Sequence, residues 1–175
     1  MKGIFIAIFF ILMFYTKSVG EVSYLADVGV YVSADSIPQI FNFEQIKPYF
    51  STTSDSVFIV NFWATWCAPC VAELPYFERL NTDLQGKKAK IVLISLDFKS
   101  QIDSKLIPFL QKNILKSEVL VLSEKNPNAW IPQINEEWSG TIPATLIFNK
   151  NKRQFYEQNF EKYEDLKRIT ANFID

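Results

Sequence analysis

The sequence of 175 residues contains no histidine and only two cysteines, Cys67 and Cys70. Because a structural zinc site usually needs four nitrogen or sulfur ligands, this scarcity argues against a metal centre. The net charge of −1 leaves no basic surplus to neutralise phosphates, so nucleic acid is not expected as a partner. No pattern in the sequence indicates a cofactor, and we expect none.

What the sequence does contain is the composition of an ordinary globular protein. Hydrophobic residues make up 49% and charged residues 21% of the chain, and sixteen phenylalanines and four tryptophans predict an aromatic-rich core. The chain is long enough for one domain with a substantial core. We divide it into residues 1–20, an N-terminal extension of the domain at 21–56, and the body of the domain at 57–175.

Residues 1–20, MKGIFIAIFFILMFYTKSVG, have the three parts of a secretory signal peptide. Lys2 precedes twelve apolar residues at 4–15, and the small residues Ser18 and Gly20 suit cleavage after Gly20. As a helix, twelve residues rise only about 18 Å, which is short for a hydrocarbon core of about 30 Å. We therefore predict export and cleavage, with an uncleaved N-terminal membrane tether as the alternative.

Hydrophobic periodicity predicts an α/β domain with a mixed central sheet flanked by helices. The run at 57–64 is β-branched and aromatic throughout, as in a strand buried on both faces. The predicted strands are 28–32, 57–64, 89–98, 117–123, 141–149 and 152–160. The predicted helices are 43–50, a helix from the cysteines to Gly86, 100–115 and 161–174, the last with Tyr163, Leu166, Ile169 and Phe173 on one face.

The spacing of Cys67 and Cys70 favours redox chemistry over a structural role. A structural disulfide stabilises by closing a long loop, whereas a bridge between these two residues closes almost none. A redox pair, in contrast, needs two sulfurs close enough to exchange a disulfide quickly. A tight structural bridge and half of a metal site remain open as alternatives.

The two cysteines lie at different depths in the turn from strand to helix, and we predict different roles for them. Cys67 lies at the helix start, where free backbone N–H groups and the helix dipole favour a thiolate. Pro69 fits the first turn because its missing N–H would have no partner there. We predict that Cys67 is the exposed nucleophile and that Cys70, one turn deeper, is the buried thiol that resolves the mixed disulfide.

The segment VNFWATWCAPCVAELP at 60–75, followed by TIP at 141–143, resembles the thioredoxin superfamily. The resemblance covers 57–175 and is strongest to the exported TlpA/ResA-like thiol-disulfide oxidoreductases. It implies a thioredoxin fold with an N-terminal strand/helix extension and an insertion before the cis-proline strand. It also implies that Pro75 kinks the first helix and that Pro143 is the cis-proline.

The same resemblance suggests a substrate-binding surface beside the cysteines. The residue before the cis-proline, here Ile142, would bind substrate backbone next to Cys67. Ala68 and Pro69 would complete the surface, and Trp66 would give partner proteins an apolar docking position. Trp130 and Trp138 have no assigned role: they either pack the core of the insertion or form a loop that determines specificity.

Glu73 is the remaining candidate catalytic residue. Relatives of the TlpA/ResA type carry a glutamate three residues after the second cysteine, and Glu73 stands there. Asn61 occupies the position where thioredoxin has a buried aspartate, so the usual proton-transfer group is missing. We predict that Glu73 is a partly buried acid with a raised pKa that accepts the Cys70 proton, the alternative being a solvated residue of the first helical turns.

The leading functional hypothesis is a monomeric enzyme that reduces disulfides of exported client proteins with electrons from a membrane-bound thiol donor. An oxidase of the same fold is the first alternative, although the neutral Ala68–Pro69 turn adds little to thiolate stability. A copper-binding or redox-chaperone module would normally use histidine or methionine, and the two methionines lie in 1–20. A thiol peroxidase would need a Thr-X-X-Cys turn and an arginine, which the turn lacks.

Overall fold

The computed structural model describes residues 38–174 of the chain. The predicted signal peptide at 1–20 and the predicted strand at 28–32 lie outside this range. Within 38–174, none of the helices has the length and apolar character needed to cross a membrane.

A six-stranded mixed sheet forms the centre of the fold, in the order β1-β4-β3-β2-β5-β6. The first four strands in this order pair in parallel, and the last two pair antiparallel. This confirms the predicted mixed sheet. The strands are β1 (Ile40–Phe41), β2 (Val57–Trp63), β3 (Ala89–Ser95), β4 (Glu118–Leu122), β5 (Ala144–Phe148) and β6 (Arg153–Tyr156).

Helices cover both faces of the sheet and leave β2 at its centre. All seven residues of β2 are buried, which explains its continuous apolar run. One face packs against a core that includes Trp63, Phe77 and Leu166, and the other against a core that includes Phe62. The helices are α1 (Phe43–Ile46), α2 (Ala68–Asp83), α3 (Ile107–Lys112), α4 (Pro127–Ile134) and α5 (Tyr163–Ala171).

The helix predicted at 100–115 is divided into three pieces. A 3₁₀ turn at Lys99–Gln101 and a π turn at Ile102–Leu106 precede α3. Pro108 lies in the first turn of α3 and has no N–H to bond four residues back, so the preceding turn need not follow the α-helical pattern. There the N–H of Ile107 bonds the carbonyl of Ile102, which is the wider π spacing.

Three predicted strands are shorter than expected. The strand predicted at 141–149 begins only at Ala144, after the cis peptide bond. The other two end early because side chains redirect the backbone after them. The strand predicted at 89–98 ends at Ser95, whose hydroxyl accepts a hydrogen bond from the N–H of Asp97 at 3.1 Å. The strand predicted at 152–160 ends at Tyr156, and the N–H of Phe160 instead donates to Glu73 at 2.8 Å. The first of these two early ends places Asp97 against Thr65 of the cysteine turn, and the second places the Phe160 N–H against Glu73.

The insertion before β5 contains a helix, α4, that the sequence analysis did not predict. Pro127 occupies its first turn and Pro132 lies inside it, and two prolines in eight residues obscure a helical pattern. Trp130 and Trp138 are both buried in the core against Phe62. The interpretation that these tryptophans pack the core of the insertion is therefore confirmed over a specificity-determining loop.

Candidate redox site

Cys67 and Cys70 form a disulfide at the N-terminus of α2, with their Cα atoms 5.3 Å apart. Cys67 is the N-cap residue of the helix, and its Sγ accepts a hydrogen bond from the backbone N–H of Cys70 at 3.3 Å. A sulfur in this position faces the free N–H groups and the positive end of the helix dipole. The predicted position of Cys67 at the helix start is therefore confirmed.

The exposure of the two cysteines corrects one part of the prediction. Cys67 retains 6% of its surface and Cys70 none, so Cys67 is the more accessible of the two but is not an exposed residue. The reason is the loop before β5, whose Ile142 carbonyl oxygen lies 3.7 Å from the Sγ of Cys67.

The loop before β5 contains the cis peptide bond between Ile142 and Pro143, as the resemblance implied. Two side chains hold the preceding residue, Thr141: one lies three residues before it and the other sixteen residues after it. The indole N–H of Trp138 donates to the Thr141 carbonyl at 2.9 Å, and the Thr141 N–H donates to Glu157 at 3.0 Å. The insertion and the end of β6 thus fix the position of the Ile142 backbone beside Cys67.

Glu157 also accepts hydrogen bonds from the backbone N–H and the hydroxyl of Ser139. Desolvation alone would raise the pKa of Glu157, but these bonds and those from Thr141 outweigh it and lower the pKa. Glu157 therefore stays ionised and keeps its acceptor role. The sequence analysis missed this residue because no local pattern connects 157 with 139–141.

Asp97 is a second residue that the sequence analysis did not select. It is buried two residues after the end of β3, and both of its carboxylate oxygens accept from the Thr65 N–H, at 3.1 and 3.2 Å. The Thr65 hydroxyl donates to the same carboxylate, as does Ser95 at 2.8 Å. Asp97 thereby ties the turn before Cys67 to the central sheet.

Trp66 is exposed as predicted, with 51% of its surface accessible. Its ring stacks on Phe98, which is 62% exposed, with 5.9 Å between ring centroids and 14° between planes. Ala68 and Pro69 are also exposed, Ile142 is half-buried, and Pro143 is buried. Of the five predicted substrate-binding residues, four are accessible to a partner, and Pro143 can act only by shaping the loop.

Glu73 is buried, with 1% of its surface accessible, rather than partly buried. One oxygen accepts from the Asn61 side chain at 2.9 Å and the other from the Phe160 N–H at 2.8 Å. Burial raises the pKa of Glu73 to about 7, and the two hydrogen bonds oppose a larger rise. A carboxyl group with this pKa can both accept and release a proton near neutral pH.

Asn61 is buried in the middle of β2 and connects Glu73 to the sheet. Its amide nitrogen also donates to the Thr145 hydroxyl at 3.0 Å, while its side-chain oxygen has no hydrogen-bond donor among residues 38–174. At the position where thioredoxin has a buried aspartate, this chain thus has Asn61, whose amide donates a hydrogen bond to Glu73 of α2. Within residues 38–174, no group of three acidic or cysteine side chains could hold a metal ion.

Comparison with known proteins agrees with this geometry. The model of the AhpC/TSA family matches residues 39–153 of the chain. The thiol-disulfide oxidoreductase ResA of Bacillus anthracis is 28% identical over 116 residues, which is 63% of this chain and 62% of ResA. The chain spans between 20% and 62% of the length of the curated relatives it matches.

Solved structures share the fold. A thioredoxin-family thiol:disulfide interchange protein from Chlorobium tepidum TLS superimposes with a TM-score of 0.57 at 20% identity, covering 69% of this chain and 81% of that chain. A secreted thiol-disulfide isomerase from Corynebacterium glutamicum gives a TM-score of 0.56 at 20% identity, covering 69% and 71%. At these identities the likeness shows the thioredoxin-like architecture and nothing finer.

Proposed function

Since the chain belongs to the AhpC/TSA family, we propose that it is a thiol-disulfide oxidoreductase that reduces disulfides of exported client proteins. One observation carries the proposal. A disulfide lies at the N-terminus of α2 with only Cys67 reaching the surface, directly beside the backbone of the cis-proline loop. This arrangement admits a client sulfur to Cys67 while Cys70 stays covered.

The chemistry begins with the reduced protein. The Cys67 thiolate attacks one sulfur of a client disulfide, forms a mixed disulfide and releases the other client sulfur, which takes a proton from water. Cys70 then attacks the Sγ of Cys67, and the second client sulfur leaves. The client gains two electrons and two protons, and the protein is left with the Cys67–Cys70 disulfide. A thiol donor that supplies two electrons restores the dithiol.

Glu73 would act in the second step. Residues three apart on a helix lie on one face with about 5–6 Å between their Cβ atoms, so Glu73 is within reach of Cys70 directly or through one water molecule. The ionised carboxyl accepts the Cys70 proton and later passes it to the leaving client sulfur. Its raised pKa matches this task, because both protonation states are populated near pH 7.

The client would bind across Trp66 and the Ile142 backbone. The Ile142 carbonyl lies 3.7 Å from the Cys67 sulfur, so a client strand hydrogen-bonded to this residue would place its own disulfide at Cys67. The exposed pair formed by Trp66 and Phe98 offers apolar area on the other side. We propose that the protein acts as a monomer and that a membrane-bound thiol donor uses the same surface.

The charges near Cys67 support reduction rather than disulfide insertion. Strong oxidants stabilise their reduced thiolate, whereas the turn at 65–69 carries no basic side chain. The buried carboxylate of Asp97 bonds Thr65, which lies two residues before Cys67. It therefore disfavours a second negative charge on the Cys67 sulfur. Both features leave the disulfide form comparatively stable and the dithiol a good electron donor.

We therefore expect a reduction potential below about −200 mV, towards the thioredoxin end of the scale. Equilibration of the protein with dithiothreitol and glutathione buffers, followed by alkylation and mass spectrometry, measures it. Asp97→Asn is expected to raise the potential, because the negative charge near Cys67 is removed. A wild-type potential near −120 mV, the value typical of a strong oxidant, would instead support disulfide insertion.

The positions of the arginines argue against a peroxidase function. The chain has three arginines, and Arg153 donates to the carbonyl oxygens of Phe50 and Ile134, away from the cysteine turn. The other two, Arg79 and Arg168, contact Tyr163 and Asp165. The Thr65 hydroxyl, which a peroxidase would direct at its cysteine, donates to Asp97.

Export is proposed from the pattern at 1–20 and has its own test. When the full chain is expressed in a host with a secretory pathway, the recovered protein should begin at Glu21. Intact-mass spectrometry of the periplasmic and membrane fractions measures this. A full-length N-terminus found only in the membrane fraction would show that 1–20 is a tether and not a cleaved signal.

A further inference from the structure

A groove of about 480 Å³ opens between the cysteine turn and the segment that leads into α3. We call it the α3 groove and define it by six of its lining residues: Thr65, Trp66, Gln101, Lys105, Phe109 and Lys112. Because Thr65 and Trp66 immediately precede Cys67, the groove continues outward from the redox site. It lies on the Trp66 side of that site, whereas Ile142 lies against the Cys67 sulfur.

The apolar part of the groove is built from aromatic rings. Phe109 is half-buried and packs on the buried ring of Trp63, with 5.4 Å between centroids. Trp66 forms a wall and is itself supported by its stack on Phe98. These rings are held by the core and by each other, so the groove exists before any partner binds.

The charged residues that line the groove are all basic. Lys105, in the π turn, and Lys112, the last residue of α3, are both exposed, and both line the groove with Phe109. None of the lining residues is an aspartate or a glutamate. Neither lysine forms an ion pair with any acid among residues 38–174. The nearest acid in sequence, Asp103, does not line the groove.

A buried acceptor adds a second recognition element. Gln101 lines the groove, and its side-chain oxygen is shielded from solvent with no donor among residues 38–174 bonded to it. Buried polar atoms are nearly always satisfied, and rotation of the Gln101 side chain towards the groove would let a donor on a ligand satisfy this oxygen. A backbone N–H of an extended polypeptide would supply that donor.

We propose that the α3 groove binds an extended segment of the client protein that carries acidic side chains near the disulfide to be reduced. The acids would pair with Lys105 and Lys112, an apolar side chain would pack on Phe109 and Trp66, and a backbone N–H would bond Gln101. This inference rests on the proposed reductase function and adds selectivity to it. Two exposed lysines mainly increase the rate of encounter with such a client.

Two synthetic peptides test the proposal. Each has the same length and one internal disulfide, and they differ only in three flanking positions, which are glutamate in one and glutamine in the other. The measured quantity is the ratio of the rate constants for reduction of the acidic and the neutral peptide by the reduced protein. We expect a ratio of about ten at about 0.01 M salt, falling towards one at about 1 M salt, where charges are screened.

The double variant Lys105→Glu/Lys112→Glu should lower this ratio to one or less. The matched control is Lys125→Glu/Lys162→Glu, which changes the net charge equally at exposed lysines away from the groove and should keep the wild-type ratio. Gln101→Leu tests the acceptor: it should slow reduction of both peptides about equally and leave the ratio in place.

The outcomes separate this inference from the function on which it rests. If the wild-type protein reduces neither peptide, the reductase function is wrong. If it reduces both at equal rates at low salt, or if the control variant loses the ratio as well, the groove does not select acidic clients. A change of oligomeric state in the groove variant, seen by sedimentation, would assign the groove to a second copy of the chain and overturn the proposal.

Discussion

Replacement of Cys67 by serine is expected to abolish disulfide reduction, with a loss of at least about a thousandfold. Cys67 is the only one of the two cysteines with accessible surface, and its position as the N-cap of α2 places its sulfur in the field that stabilises a thiolate. A serine hydroxyl there stays protonated at neutral pH and does not attack a disulfide. An insulin-reduction assay with dithiothreitol as donor measures the loss.

Cys70→Ser should behave differently, because it removes the buried resolving thiol and keeps the nucleophile. The mixed disulfide between Cys67 and a client should then accumulate and run as a larger species on a non-reducing gel. Full turnover by Cys70→Ser would show that the two-cysteine mechanism is wrong.

The fold of both variants serves as their control. The Cys67–Cys70 bridge closes a loop of very few residues, so its loss should change the free energy of unfolding only modestly. Urea unfolding of each variant against the oxidised wild-type protein checks this. A variant that is inactive but unfolds at the same urea concentration as the wild type has lost chemistry and not structure.

The parts of this structure that were predictable from sequence have local causes. The run at 57–64 gave the central strand β2, because a segment buried on both faces must be apolar throughout. The Cys-X-X-Cys spacing together with Pro69 gave the start of α2, since a proline fits the first helical turn. Pro143 in TIP gave the cis bond through resemblance to other proteins and not through a physical argument.

What could not be predicted depends on contacts between distant parts of the chain. Nothing local shows that Asp97 will bond Thr65, that Glu157 will bond Thr141, or that a carbonyl 75 residues away will cover Cys67. Each contact follows from the order of the strands, which brings the ends of β2, β3 and β6 together with the start of β5. The exposure of Cys67 was overestimated for this reason.

Glu73 was predicted from the sequence to be a catalytic acid, and its burial in the structure leads to a prediction about stability. The pKa of its carboxyl rises from the usual 4.5 to about 7 in the folded protein, mainly through desolvation. Between these values the native state keeps a proton that the unfolded chain releases, so stability falls as pH rises. The contribution is fully present below pH 4.5 and is lost above pH 7, a difference of about 3 kcal/mol.

Glu73→Gln should remove this part of the pH dependence, because an amide stays neutral while its oxygen can still accept from the Phe160 N–H. Urea unfolding of the oxidised protein between pH 4.5 and 8 measures it. Glu136→Gln, at an exposed glutamate outside the site, is the control and should follow the wild type.

The same variant tests whether Glu73 is more than a buried structural group. Without a carboxyl to accept the Cys70 proton, the second exchange step should slow by about a hundredfold, and the rise in rate that accompanies ionisation near pH 7 should disappear. Stopped-flow measurement of mixed-disulfide resolution from pH 5 to 9 gives the profile. If Glu73→Gln loses the pH dependence of stability but keeps the wild-type rate profile, Glu73 supports the fold alone, and the proton of Cys70 must leave by another route.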